Sequence, residues 1–155
     1  MKTLEDLKVK GRLNIVLRDK DGNIKDEREV DNLVVNVGLA YIISRMVGTA
    51  KSVMSHMALG SGTTAAAGAQ TDLVTLLGAR EALDSTTIAG ANNNQVVYVS
   101  SFEAGDATGA VTEAGIFNSG TPAEGDMLCR TVFAVVNKAA DDAMTVTWTI
   151  TLSAV

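Results

Sequence analysis

The sequence predicts a mainly β protein, an antiparallel β-sandwich or jelly-roll-like double sheet with one longer and one short helix. Three observations predict it. Met144, Val146, Trp148, Ile150 and Leu152 alternate with Thr145, Thr147, Thr149 and Thr151, the period-two pattern of a strand with one face in a core and a threonine ladder on the other. Val9, Gly11, Leu13, Ile15 and Leu17 alternate in the same way with Lys10, Arg12, Asn14, Val16 and Arg18. Between these ends, residues 82–88, 95–103, 111–117 and 128–137 are further strand candidates, separated by Gly, Asn, Asp or Pro clusters. Seven or eight strands with turns between them bury their apolar faces by packing two layers together. Leu13, Ile15, Val146, Trp148 and Ile150 are the expected core.

The elements follow in order. Residues 1–7 read as a charged N-terminal arm, with Met1, Leu4 and Leu7 as its candidate interface residues, and residues 8–155 as a single β-sandwich domain. The strand over 9–18 ends at Asp19-Lys20-Asp21-Gly22-Asn23, where Asp-Gly takes the positive φ angles of a tight hairpin. Residues 24–35 return as its partner. Lys25 to Glu29 are too charged for a central position and predict a solvent-facing edge. Asn36 is a candidate cap for a helix over 37–47 that Gly48 ends. A short helix is expected over 72–77, capped by Thr71 and ended by Gly78. Between the helices, residues 55–59 predict a short strand and 60–68 a loop.

Charge is distributed unevenly. Residues 1–31 hold eight Lys/Arg and eight Asp/Glu, leaving five basic and ten acidic groups for the remaining 124 residues. No basic cluster is present to displace counterions from phosphates, so no nucleic-acid partner is expected. Although hydrophobic residues make up 46% of the chain, no apolar run approaches the roughly 20 residues that cross a bilayer as a helix. No membrane partner is expected. Nor does the N-terminus have the uninterrupted apolar core of a secretory signal, so synthesis in the cytoplasm is expected. A surface this poor in charge and rich in Ala, Thr, Val and Gly is one that other subunits cover.

The motifs that carry chemistry are few. Asp19-x-Asp-Gly-Asn looks like the start of a calcium loop, but Val30 stands where an EF-hand places its bidentate Glu, and a plain hairpin turn is expected. Gly60-Ser61-Gly62-Thr63-Thr64 lacks the Gly-Lys-Ser/Thr element of a phosphate loop. His56 is the sole imidazole, and nothing local gives it both a nucleophile and an orienting acid. Cys129, the single cysteine, is read as a small buried hydrophobe. Glu103, Asp106 and Glu113 are candidates for a carboxylate pair, although solvated loop charges describe them more simply. Arg80 and Arg130 each stand alone in a charge-poor stretch, and a guanidinium fork suits bidentate pairing with a carboxylate. With Glu113 they form the candidate internal ion pair. These readings predict no enzyme, no metal and no cofactor.

Taken in order, Asp21-Gly22-Asn23, Asn32-Leu33-Val34-Val35-Asn36-Val37-Gly38, Met57-Ala58-Leu59-Gly60-Ser61-Gly62-Thr63-Thr64, Thr112-Glu113-Ala114-Gly115-Ile116-Phe117-Asn118, Met127-Leu128-Cys129-Arg130 and Thr145-Val146-Thr147-Trp148-Thr149-Ile150 resemble a family of small structural proteins of tailed bacteriophages. Similar Leu-Gly-x-Gly and Glu-x-Gly-Ile/Leu-Phe elements occur at the N-terminal ends of tail fibres. Without shaft repeats or a receptor-binding tip, the chain more closely resembles capsid decoration, or cement, proteins. That resemblance implies a virion location, with the major capsid protein and sister subunits as partners and the N-terminal arm reaching the shell. A tail, neck or baseplate component is the alternative it leaves open. A carbohydrate-binding sandwich is a third reading, and with three Phe, two Tyr and one Trp in the chain it has few aromatic platforms for sugar stacking.

Overall fold

The computed structural model describes residues 6–48 and 51–154. Among the described residues, nine strands and one helix follow one another as β1 (Leu7–Arg18), β2 (Ile24–Val34), α1 (Asn36–Ser44), β3 (His56–Gly60), β4 (Glu81–Ala82), β5 (Ser85–Ala89), β6 (Gln95–Phe102), β7 (Gly109–Phe117), β8 (Met127–Lys138) and β9 (Ala143–Ala154). They form one antiparallel, curled sheet, a half-barrel, in the order β4-β3-β7-β8-β2-β1-β9-β6-β5. The curl has a definite place. β2 and β8 pair only through Leu33 with Arg130 and Val34 with Cys129, so the halves on either side of this narrow join turn toward each other.

Side-chain alternation explains what the curl encloses. β1 and β9 pair along their whole length, placing Leu13 opposite Trp148, Ile15 opposite Val146 and Gly11 opposite Ile150. Leu13, Ile15, Val146, Trp148 and Ile150 are all buried, and they share one cluster with Met57, Val111, Ile116 and Cys129 from the other half. The buried indole donates Nε1–H to Asn32 Oδ1 at 2.7 Å, which satisfies its one polar atom. Asn32 in turn lies over Gly11, where a Cβ would come within 1.8 Å of Asn32 Oδ1. Glycine at position 11 gives the amide room to reach the tryptophan.

Several local expectations need correction. Helix α1 begins at Asn36 with Val35 in the cap position, and it has no side-chain cap bond; Asn36 instead donates its backbone N–H to Gly68 O. The helix stops at Ser44 rather than residue 47. No helix forms over 72–77. That segment runs irregularly beside β3, where Ser61 N–H donates to Thr75 O and Leu77 N–H to Leu59 O. The single strand expected over 82–88 is two, because the chain crosses between the halves there: Leu83 N–H bonds Ser55 O in one half and Asp84 N–H bonds Val99 O in the other. Leu7 is no part of a separate arm, since it opens β1 opposite Ala154. Met1 and Leu4 lie outside the described residues.

Candidate functional site

The most densely bonded cluster forms where the 60–78 segment meets β7 and β8. Glu113 and Arg130 have fully buried side chains, and Arg130 Nε and Nη2 both donate to Glu113 Oε2, at 2.9 and 2.6 Å. The carboxylate also accepts three backbone N–H groups: Gly62 and Thr75 at Oε1, at 2.9 and 2.7 Å, and Val74 at Oε2, at 3.0 Å. On the other side of the guanidinium, Nη1 donates to Thr64 O and Gln70 Oε1, both at 2.9 Å. Burial of a charge pair is tolerated when remaining donors and acceptors are matched in this way. Glycine is required at 60 and 62, because a Cβ at either would lie 2.5 Å from Glu113 Oε1. The glycine-rich segment therefore packs around a carboxylate of its own chain.

Arg80 does not join that pair. Its Nη2 donates to Asp72 Oδ2 at 3.1 Å, its Nη1 donates to Ser119 O and Glu124 O, and its guanidinium carbon sits 3.6 Å from the Phe117 ring centroid. It clamps the 118–126 loop onto the core. Asp72 Oδ2 also accepts Ala123 N–H.

A third buried cation, Lys138, was not among the sequence candidates. Its ammonium donates to Glu103 O at 2.8 Å and Asp142 O at 2.7 Å, joining the two segments that cross between the halves after β6 and after β8. Burial draws its pKa below the ordinary lysine value, opposed by the charges of Asp106, Asp142 and Glu103. The Asp142 carboxylate accepts Lys25 Nζ at 2.7 Å and Ala139 N–H at 2.9 Å. The Lys25 bond, then the Ala139 bond, hold its pKa below the usual carboxylate range. Lys138 was legible in principle. It is one of five basic residues after position 31, and the isolation that singles out Arg80 and Arg130 applies to it equally.

The remaining candidates are dispersed. Asp19 Oδ1 accepts the backbone N–H groups of Asp21 and Asn23, both at 2.9 Å, around Gly22 with φ of +84°. That carboxylate organises its own turn, and the Asn23 backbone bond leads in lowering its pKa. Asp106 accepts Glu103 N–H within an exposed loop, while Glu113 lies apart in the interior. His56 Nδ1 contacts the hydroxyl of its neighbour Ser55 at 2.8 Å, and its Nε2 lies against Gly120. Cys129 is buried, which pushes its thiol pKa well up and keeps it a poor nucleophile. Among the described residues, no group of three or more His, Cys, Asp or Glu side chains is placed to hold a metal ion.

Two surface regions stand out. On the outer face of β1, β2 and β9, a shallow groove of about 660 Å³ is lined by Arg12, Asn14, Glu29, Thr147, Thr149 and Thr151 among others. Arg12 bridges its wall, pairing with Glu29 at 3.2 Å and Asp31 at 3.4 Å. Around α1 and the chain after it, Leu39, Ile43, Met46, Val47 and Val53 are exposed, an apolar set of the kind that interaction surfaces carry. No helix among the described residues is long and apolar enough to cross a membrane. No protein-family model, curated protein or solved structure matches the chain.

Proposed function

We propose that this chain is a structural protein of a tailed-phage virion, most specifically a capsid decoration protein that binds the assembled head and stabilises it in many copies. The observation that carries the reading is the convergence of three separate phage-like sequence elements on one interior cluster. Gly60-Ser61-Gly62 wraps the carboxylate of Glu113 from Thr112-Glu113-Ala114-Gly115, and Arg130 from Met127-Leu128-Cys129-Arg130 neutralises it. The ordered elements that resemble the phage family thus have a common physical purpose, which is to fix a long loop against a sheet. With Glu113 and Arg130 fully buried and multiply bonded, the cluster suits scaffolding better than turnover. Exposed apolar residues about α1 suit contact with the major capsid protein or a sister subunit. The two halves of the sheet act as the layers of a double sheet in this reading, supported by the single core cluster to which both contribute.

The test is copy number. A decoration protein repeats with the local symmetry of an icosahedral shell, giving on the order of hundreds of copies, whereas a ring at one vertex is a small cyclic set. Quantitative densitometry of purified particles should show this chain at a level comparable to the major capsid band. A dozen or so copies per particle would replace decoration with the tail, neck or baseplate reading. Absence from the particles would end the virion reading itself.

A further inference from the structure

Several stretches of strand backbone among the described residues pair on one side only, including the first half of β2, β8 beyond Arg130 and β5, and their chemistry differs. The first half of β2, from Ile24 to Asp31, pairs with β1 on one side only. It carries Lys25, Asp26, Glu27, Arg28 and Glu29, and such charges discourage a second chain from adding there. At one end of the sheet, β5 pairs with β6 alone. Its sequence is Ser85-Thr86-Thr87-Ile88-Ala89, and no Asp, Glu, Lys, Arg or Pro occurs anywhere from Ser85 to Phe102. Ile88 is 70% exposed. Neither a charged side chain nor a proline stands on β5 to block strand addition.

Register identifies the backbone groups that the edge leaves open. Leu152 N–H donates to Asn94 O, and these residues lie opposite each other in the β6–β9 ladder, one step beyond Gln95 and Thr151. Hydrogen-bonded and non-bonded pairs alternate along an antiparallel ladder. Val96, Tyr98 and Ser100 therefore bond toward β9, while Gln95, Val97 and Val99 bond toward Ala89, Thr87 and Ser85 of β5. The N–H and C=O groups of Thr86 and Ile88 are left pointing outward.

We propose that β5 is a self-association edge, where a second copy of this chain adds its own β5 in antiparallel fashion about a two-fold axis at Thr87. In that register Thr86 of each copy faces Ile88 of the other, and all four outward N–H groups find outward carbonyls. Ser85 faces Ala89, Thr87 faces itself, and no charge meets a like charge. Each Ile88 gains a neighbour on its exposed face. A two-fold contact of this kind is self-complementary by construction. Strand addition also supplies main-chain bonds that a charge-free edge can use without a matching pattern of charges. The inference rests on the sister-subunit part of the reading above and names its surface.

Sedimentation analysis of the purified full chain tests it, together with Ile88→Lys and Thr86→Pro. Neither substitution removes a bond to β6, since both residues face outward, and near-ultraviolet dichroism of Trp148 reports whether the fold is kept. Wild type should form a dimer, and each variant should raise its dissociation constant at least about tenfold. Amide exchange of wild type should show Thr86 and Ile88 protected at high protein concentration and unprotected on dilution. A wild type that stays monomeric up to millimolar concentration overturns the proposal. An oligomer whose affinity is unchanged in both folded variants, or whose Thr86 and Ile88 amides exchange freely, overturns the edge while leaving self-association through another surface, so failure here is distinguishable from failure of the virion reading.

Discussion

Arg130 and Lys138 are buried cations near opposite ends of the same strand, β8, and they are neutralised differently. At the Arg130 end, the 60–78 segment turns the amides of Gly62, Val74 and Thr75 inward. These donors need an anion, Glu113 supplies it, and the anion needs Arg130. At the Lys138 end, the crossing segments turn carbonyls inward, from Glu103 and Asp142. These acceptors need a cation, and Lys138 meets them with no carboxylate in direct contact. The buried charge thus takes its sign from the backbone groups an irregular segment leaves unpaired. Residue choice follows the same logic: the planar five-donor fork suits a carboxylate and two carbonyl oxygens together, while a compact ammonium suits converging carbonyls.

The largest effect is expected from removing the anion. Glu113→Ala leaves Arg130 buried without its counter-charge, and breaking one partner of a buried pair costs about 3–5 kcal/mol. A denaturant titration should show the midpoint fall accordingly. Replacing both members with apolar residues should cost less than the sum of the single changes, because neither charge is then left alone.

Lys138→Met should cost less, about 1–3 kcal/mol, because what remains is two unpaired carbonyl oxygens rather than an unpaired charge. Equal losses in Lys138→Met and Glu113→Ala would remove the distinction between the two ends of β8.

The smallest effect is one of pH. Asp142 has a folded pKa below its ordinary value of 3.8, so the unfolded chain takes up the proton first on acidification. Its contribution is present above that ordinary value and is lost as pH falls through the folded one. Asp142→Asn should therefore lower the melting temperature at neutral pH, and the gap from wild type should close in acid. Asp19 shifts in the same direction but is common to both proteins, so the difference isolates Asp142.

These two ends also mark where sequence reading succeeds and stops. β1 and β9 were legible because each has one dry and one wet face, and alternation records that locally: Leu13, Trp148 and Ile150 face the core while Lys10, Arg12 and the threonines face out. The isolation of Arg130 pointed to an internal partner because a lone cation in an apolar stretch needs one. What closes around that pair was not legible. Thr71, Asp72 and Gly78 imitate a capped helix, yet the Val74 and Thr75 amides bond to a carboxylate almost forty positions later, and no local pattern encodes a donor's distant acceptor. Arg80 stands as alone in sequence as Arg130, but folding brings it to Asp72 and Phe117. The split of the expected 82–88 strand has the same origin, since Leu83 and Asp84 look strand-like and bond to opposite halves of the sheet. The unprotected β5 edge and the lysine closure both depend on which strands become neighbours, and alternation along one strand does not carry that information.

Site-resolved amide exchange in wild type and Glu113→Gln tests the central claim most directly, namely that Glu113 holds the 60–78 segment to the sheet. The substitution keeps the side chain's shape and removes its charge. Protection at Gly62, Val74 and Thr75 should fall at least about tenfold further than protection at Leu13 and Trp148, because the segment opens locally while the paired strands stay closed. An equal fall at both sets of amides, or full protection retained at Gly62, Val74 and Thr75, would contradict the account.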